Sequence, residues 1–179
     1  MEPARDHVAF VMEQWQRELP RLDRSPMGIV GRISRLAQIL QVELERVFEE
    51  HGLNGGEFDV LAALRRSGDP YRLTPTELSR SLMVTSGGMT KRLKLLADRG
   101  LIRREPDPAD ARVNVVALTA EGKRLVEAVL PFHVANETRL LAGLGEEGRS
   151  ELAELLARLA VLLGDEAVSA PGASRRRGR

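Results

Sequence analysis

Apolar residues recur at intervals of three and four along most of this chain, and that spacing predicts a protein made mainly of helices. Ile29, Ile33, Leu36, Leu40, Leu44 and Val47 share one side of a long amphipathic helix from Met27 to about Glu50. Asn54 followed by Glu57 has the form of a capping box and predicts a helix running to Arg66. Thr119 opens another helix at ThrAlaGluGlyLys, with Leu125, Val129 and Phe132 expected inside and Pro131 as a point of bending. A last helix from about Glu146 carries Leu152, Leu155, Leu156, Leu159, Leu162 and Leu163, a broader apolar surface than one small domain needs. Ahead of the long helix, Val8, Val11, Met12, Trp15 and Leu19 predict one more helix, ended by Pro20 and linked onward through Pro26.

Between Leu73 and Thr119 the pattern breaks into shorter pieces. Thr74, Pro75 and Glu77 form a capping box with proline in the first turn, and Leu78 and Leu82 give the helix that follows one apolar side. MetValThrSer makes a turn. Thr85 or Ser86 is then placed to cap a second helix with the stripe Met89, Leu93 and Leu96, stopped by Gly100. At about 100° per residue, Gly87, Lys91, Lys94 and Asp98 fall opposite that stripe, with Ser86 and Thr90 to one side. Two short strands follow, LeuIleArgArgGlu and ArgValAsnValValAlaLeuThr, around a loop of proline and aspartate.

A helix, turn, helix and basic hairpin in this order has the form of a reader of double-stranded DNA. Small residues at the start of the second helix permit close approach to base edges, and its lysines match phosphates or guanine acceptors. The expected DNA-facing residues are Thr85, Ser86, Gly87, Thr90, Lys91 and Lys94, with Arg112 near the hairpin tip reaching the minor groove. Asp110 is expected to orient the Arg112 guanidinium by a charge-assisted bond.

Composition narrows the classes. Net charge is only +1, so bulk electrostatics does not announce nucleic acid; the local cluster of Lys91, Arg92, Lys94, Arg99, Arg103 and Arg104 does. Zero cysteines exclude disulfides and thiol chemistry, and aromatic residues at 3% argue against single-strand binding by base stacking. His7, His51 and His133 lie far apart without metal-ligand spacing, and neither a glycine-rich phosphate loop nor a nucleophile elbow is present, so no enzyme, metal or cofactor is expected. With no long apolar run and no signal-peptide pattern, the expected location is the cytoplasm and no membrane partner is expected.

The Leu73–Thr119 stretch, above all the run DPADARVNVVALTAEGK, resembles the MarR family of winged-helix transcriptional regulators, and the likeness extends from about Met27 to Gly164. It implies a mainly α fold with a small β-wing, a second helix that enters the major groove, a wing arginine (Arg112) in the minor groove, and a homodimer. Surplus apolar helices flanking a reader also favour a twofold dimer on their own account, and two readers fit the half-sites of a pseudo-palindromic operator. The expected organisation is an additional N-terminal helix and linker at 1–26, dimerisation helices at 27–50 and 120–164, a winged helix-turn-helix domain at 51–119, and a disordered basic tail at 165–179. The tail arginines are read equally as nonspecific DNA contacts or as a solvated end.

Control by a ligand is suggested by Asp59, which sits in a segment apolar almost all round, PheAspValLeuAlaAlaLeu, and so calls for a cation. Arg92, roughly 60° from the centre of its apolar stripe, and Arg104 are the candidate partners. Trp15, the only tryptophan, offers a flat wall for a planar ligand. Each has a plain structural reading. Together, Trp15, Asp59, Arg92 and Arg104 resemble the ligand positions of a urate-responsive branch of the MarR family, which implies release of DNA by a small anionic purine. Related regulators of similar pattern imply an aconitate-like carboxylate or a phenolic ligand instead. The rival from another class is a winged helix that binds protein, which steep salt dependence of DNA binding would exclude.

Overall fold

Asp6 starts the first helix. Its carboxylate accepts from the Ala9 amide at 2.6 Å and caps α1 (His7–Glu18). In the computed structural model, which describes residues 5–82, 88–108 and 110–165, the chain divides into two units, Met1–Arg46 and Val47–Arg179.

In the first unit the same Asp6 carboxylate receives Nε and Nη2 of Arg32 at 2.6 and 3.1 Å, tying α1 to α2 (Ser25–Glu50). Gly31 lets the helices close up, since a β-carbon there would lie 3.3 Å from buried Val8. The long helix begins at Ser25, two residues before the expected Met27. Asp23 accepts from both the amide and the hydroxyl of Ser25, and Pro26 sits in the first turn, where its missing N–H costs nothing. Ile29, Val30, Leu36, Ile39 and Val42 stand exposed along α2.

The second unit contains α3 (Gly55–Arg66), β1 (Arg72–Leu73), α4 (Pro75–Ser81), α5 (Met89–Asp98), β2 (Ile102–Asp107), β3 (Asp110–Leu118), α6 (Ala120–Leu140), a 3-10 turn at Ala142–Leu144, and α7 (Gly145–Leu162). The strands form an antiparallel sheet in the order β1-β3-β2, with Leu73 opposite Val116 and Arg104 also opposite Val116 from the other side. β1, at two residues, is too short to show an alternating pattern and was not among the expected strands. Leu61 and Leu64 of α3, Leu78 of α4, Leu96 of α5, Val116 of β3, and Val126 and Val129 of α6 are fully buried and form the core on which reader and wing rest.

Two local devices set the geometry. The Asn54 side chain accepts from the Glu57 amide at 2.9 Å and Glu57 reaches back to the Asn54 amide at 3.1 Å, the capping box expected for α3. Gly122 lies so close beneath Leu101 that a β-carbon would overlap the Leu101 carbonyl, which seats α6 on the root of the wing. Along α6 the inward positions are Gly122, Val126 and Val129, and the next on that face is His133, whose ring packs on Phe48 and Phe58. Phe132, expected inside, is therefore exposed and meets only the rim, 4.9 Å from the His51 ring. The helix continues through Pro131.

Candidate nucleic-acid interface

The reader begins where the sequence places it. Thr74 Oγ1 accepts from the Glu77 amide at 3.2 Å, Glu77 accepts from the Thr74 amide at 2.9 Å, and Pro75 is the first residue of α4. At the other end of α4, Arg66 donates to the Ser81 carbonyl. Met83 to Gly87 lie outside the described residues, and with them the expected contributions of Thr85, Ser86 and Gly87. The described part of the reading helix starts at Met89, preceded not by a hydroxyl cap but by Gly88, whose φ of 78° is the left-handed conformation glycine adopts at no steric cost.

Leu93 and Leu96 turn α5 inward, and the opposite face carries Lys91, Lys94 and Asp98 into solvent, with Thr90 exposed to one side. The two lysines are not equivalent. Lys94 is bound to Asp98 at 2.6 Å, one turn further on, whereas the Lys91 ammonium has no ion-pair partner among the described residues. Arg92, on the same helix, points away from that face. Its guanidinium lies on Gly56 in the first turn of α3, where a β-carbon would collide with it, and Nη1 is buried without a hydrogen-bond partner among the described residues.

β2 and β3 form the wing, with Asp107 opposite Asp110 at the tip. Asp110 does not bind the Arg112 guanidinium as expected. Its Oδ1 accepts from the Arg112 backbone amide at 3.0 Å. An aspartate two residues ahead of an amide closes a tight local turn more readily than it reaches a long side chain. The carboxylate thus shapes the backbone, and Arg112 stands exposed. Further down the wing, Arg103 binds Glu105 at 2.6 Å, and that hydrogen bond holds the Glu105 carboxyl below its usual range. Arg104, next in the strand, projects into solvent from the other face of the hairpin.

Asp59 is buried on α3, and the cation beside it is neither of those expected. Arg66 Nη1 stands 3.9 Å from Asp59 Oδ1. Seven residues is two helical turns, so the pair shares a face of α3, a spacing legible in the sequence. Gly56 and the Glu57–Arg99 pair, at 3.4 Å, were also not anticipated. Trp15 lies on α1 in the first unit, partly exposed. No group of side chains able to hold a metal ion occurs among the described residues, and none of their helices is long and apolar enough to cross a membrane.

A helix pair whose first member opens with a capping box, followed by an antiparallel hairpin, with cations on the second helix and near the hairpin tip that have no ion-pair partner among the described residues, defines a DNA-binding protein of the winged-helix class. Residues 51–113 match the MarR family. The chain is 38% identical over 152 residues to the transcriptional regulator PecS of Dickeya dadantii (strain 3937), covering 85% of this chain and 92% of PecS. It belongs to the MarR family, and the similarity to PecS supports a place on that branch. Among solved structures, Sco3205 of Streptomyces coelicolor, determined in complex with DNA, aligns with a TM-score of 0.70 at 25% identity over 86% of this chain and 98% of its own. BpsR of Bordetella bronchiseptica, whose DNA binding is regulated by 6-hydroxynicotinic acid, aligns with a TM-score of 0.66 at 25% identity over 79% and 97% of the two chains. The protein is a DNA-binding transcriptional regulator, and its relatives are regulators rather than enzymes.

Proposed function

We propose that the protein is a homodimeric repressor of a pseudo-palindromic operator, released by a small planar anion of the urate or purine class. The observation that carries the ligand reading is Arg92. A buried guanidinium nitrogen without an acceptor among the described residues, on the helix that reads DNA, is a demand that an anionic ligand satisfies. Arg104 is the proposed second cation and Trp15 the proposed stacking surface. Asp59, on the helix that Arg92 rests against, is the group the ligand would disturb. Exposed apolar residues along α2, among them Ile33 and Leu36, and separately on α7, among them Leu155 and Leu162, support the dimer, because helix faces with this many exposed large apolar side chains favour burial against a partner.

A second reading is favoured by the likeness to BpsR: an aromatic or aconitate-like carboxylate would use the same two arginines without needing Trp15. Titration of the protein–operator complex with urate, xanthine, 6-hydroxynicotinate and trans-aconitate, following Trp15 emission and DNA release, separates the two. Release by urate with quenching of Trp15 is the expected result. Release only by the carboxylates selects the second reading, and release by none removes ligand control through Arg92.

A further inference from the structure

Arg66 ends α3 and faces two groups at once. Nη1 stands 3.9 Å from the buried carboxylate of Asp59, and Nη2 donates to the carbonyl of Ser81, the last residue of α4. The final carbonyls of a helix have no partner within it, and a cation there also meets the negative end of the helix dipole. The seven-residue α4 ends at Leu82, whose backbone is extended, and no glycine closes it. The Ser81 hydroxyl serves the Leu78 carbonyl, and among the described residues the group that meets the last carbonyl of this helix is a side chain from α3.

We infer that Arg66 is a positioning residue for DNA reading: held by Asp59, it caps the end of α4 and so fixes where the chain leaves for the reading helix. The inference uses the DNA-binding activity of the family and is independent of any effector. An arginine suits the task because its planar fork serves an acid and a carbonyl in different directions, which a lysine ammonium on a flexible stem does less well. Its partner gives it direction. A salt bridge to a nearly buried carboxylate restrains the guanidinium, and without that charge the head would relax toward solvent, since the Arg66 side chain is 44% exposed.

The test uses the full chain and a duplex recovered from genomic DNA by selection with the unaltered protein, with no effector added. Operator affinity is measured against salt concentration for Arg66→Gln, Arg66→Lys, Asp59→Asn and the double variant Asp59→Asn with Arg66→Gln. Arg66→Gln and Asp59→Asn are each expected to weaken binding roughly three- to thirtyfold, as changes along a coupling path do. The double variant is expected to be no weaker than the worse single one, because both remove the same contact chain. Arg66→Lys is expected to recover part of the loss. Salt slopes are expected to stay parallel, since a residue that positions others releases no counterions of its own. A slope reduced by about one for Arg66→Gln overturns the inference and makes Arg66 a phosphate contact. Unchanged affinity, or fully additive losses, overturns it as well. Thermal melts of the four variants show that the differences belong to folded protein. Failure of urate to release DNA would count against the proposed effector and leave this result as it stands.

Discussion

The Arg92 guanidinium rests on the α-carbon of Gly56, in a space that any other residue at that position would fill. An arginine on the reading helix is thereby drawn toward α3, away from the face that carries Lys91 and Lys94.

Gly56→Ala tests the consequence. Alanine is the better helix former by about 0.5–1 kcal/mol, and the atoms it meets are the movable end of a side chain, so the melting temperature should hold or rise. The guanidinium should leave its seat, visible as a shift of the Arg92 Nε–H signal in nitrogen-15 spectra. If the proposed effector acts through Arg92, release of the operator should then need at least about fivefold more ligand. An unmoved Arg92 signal would contradict the cradle.

Lys91→Ala and Arg112→Ala should each lower the slope of log affinity against log salt by about one. Lys94→Ala should lower it less, because in the free protein Asp98 already occupies the Lys94 ammonium. Asp98→Asn is expected to strengthen DNA binding modestly, by up to about 1 kcal/mol, the most an exposed pair of this kind is worth. Anisotropy titrations at several salt concentrations measure all four.

Gly122→Ala should destabilise the fold by about 1–3 kcal/mol, because the new methyl meets the Leu101 backbone rather than a side chain that can turn away. Gly148→Ala is the control. Its β-carbon would make an ordinary 3.6 Å contact with Leu144, so it should be neutral or stabilising in urea denaturation.

The α1–α2 clasp should be acid-sensitive. The Arg32 hydrogen bond, and after it the Ala9 amide, holds the Asp6 carboxyl below its ordinary range. A group depressed in the folded state contributes stability that is present above its unfolded pKa and lost as pH falls through the folded one. Hydrogen exchange of the α1 amides should therefore quicken, beyond the intrinsic pH effect, as pH falls through and below about 3.9. Asp6→Asn keeps a cap and loses the charge, so it should show faster exchange at neutral pH and little of this acid dependence.

Much of the reader was written locally. The capping boxes at Asn54 and Thr74 lie in four-residue spacings, and their hydrogen bonds are where the spacing places them. The inward angle of Arg92 also followed from counting around one helix. The partner of Asp59 also lies on one helix, two turns along, but a lone acid in an apolar stretch does not by itself say which of several arginines closes on it. Gly56 gave no signal, since what it admits comes from a segment more than thirty residues later. The wing misled for a related reason. Asp110 and Arg112 suggested a pair of side chains, and the chain instead used the backbone amide, a competitor present at every position.

Glu57 closes the capping box of α3 and also meets Arg99, just beyond the last residue of α5, at 3.4 Å. One carboxylate therefore pins the far end of a rod whose ten residues span about 15 Å. A lever fastened there has its travel at the opposite tip, so that about 4° of tilt carries Met89 through ~1 Å. The Met89 end is then the end that moves most, and a tilt that leaves the Arg99 anchor in place displaces it.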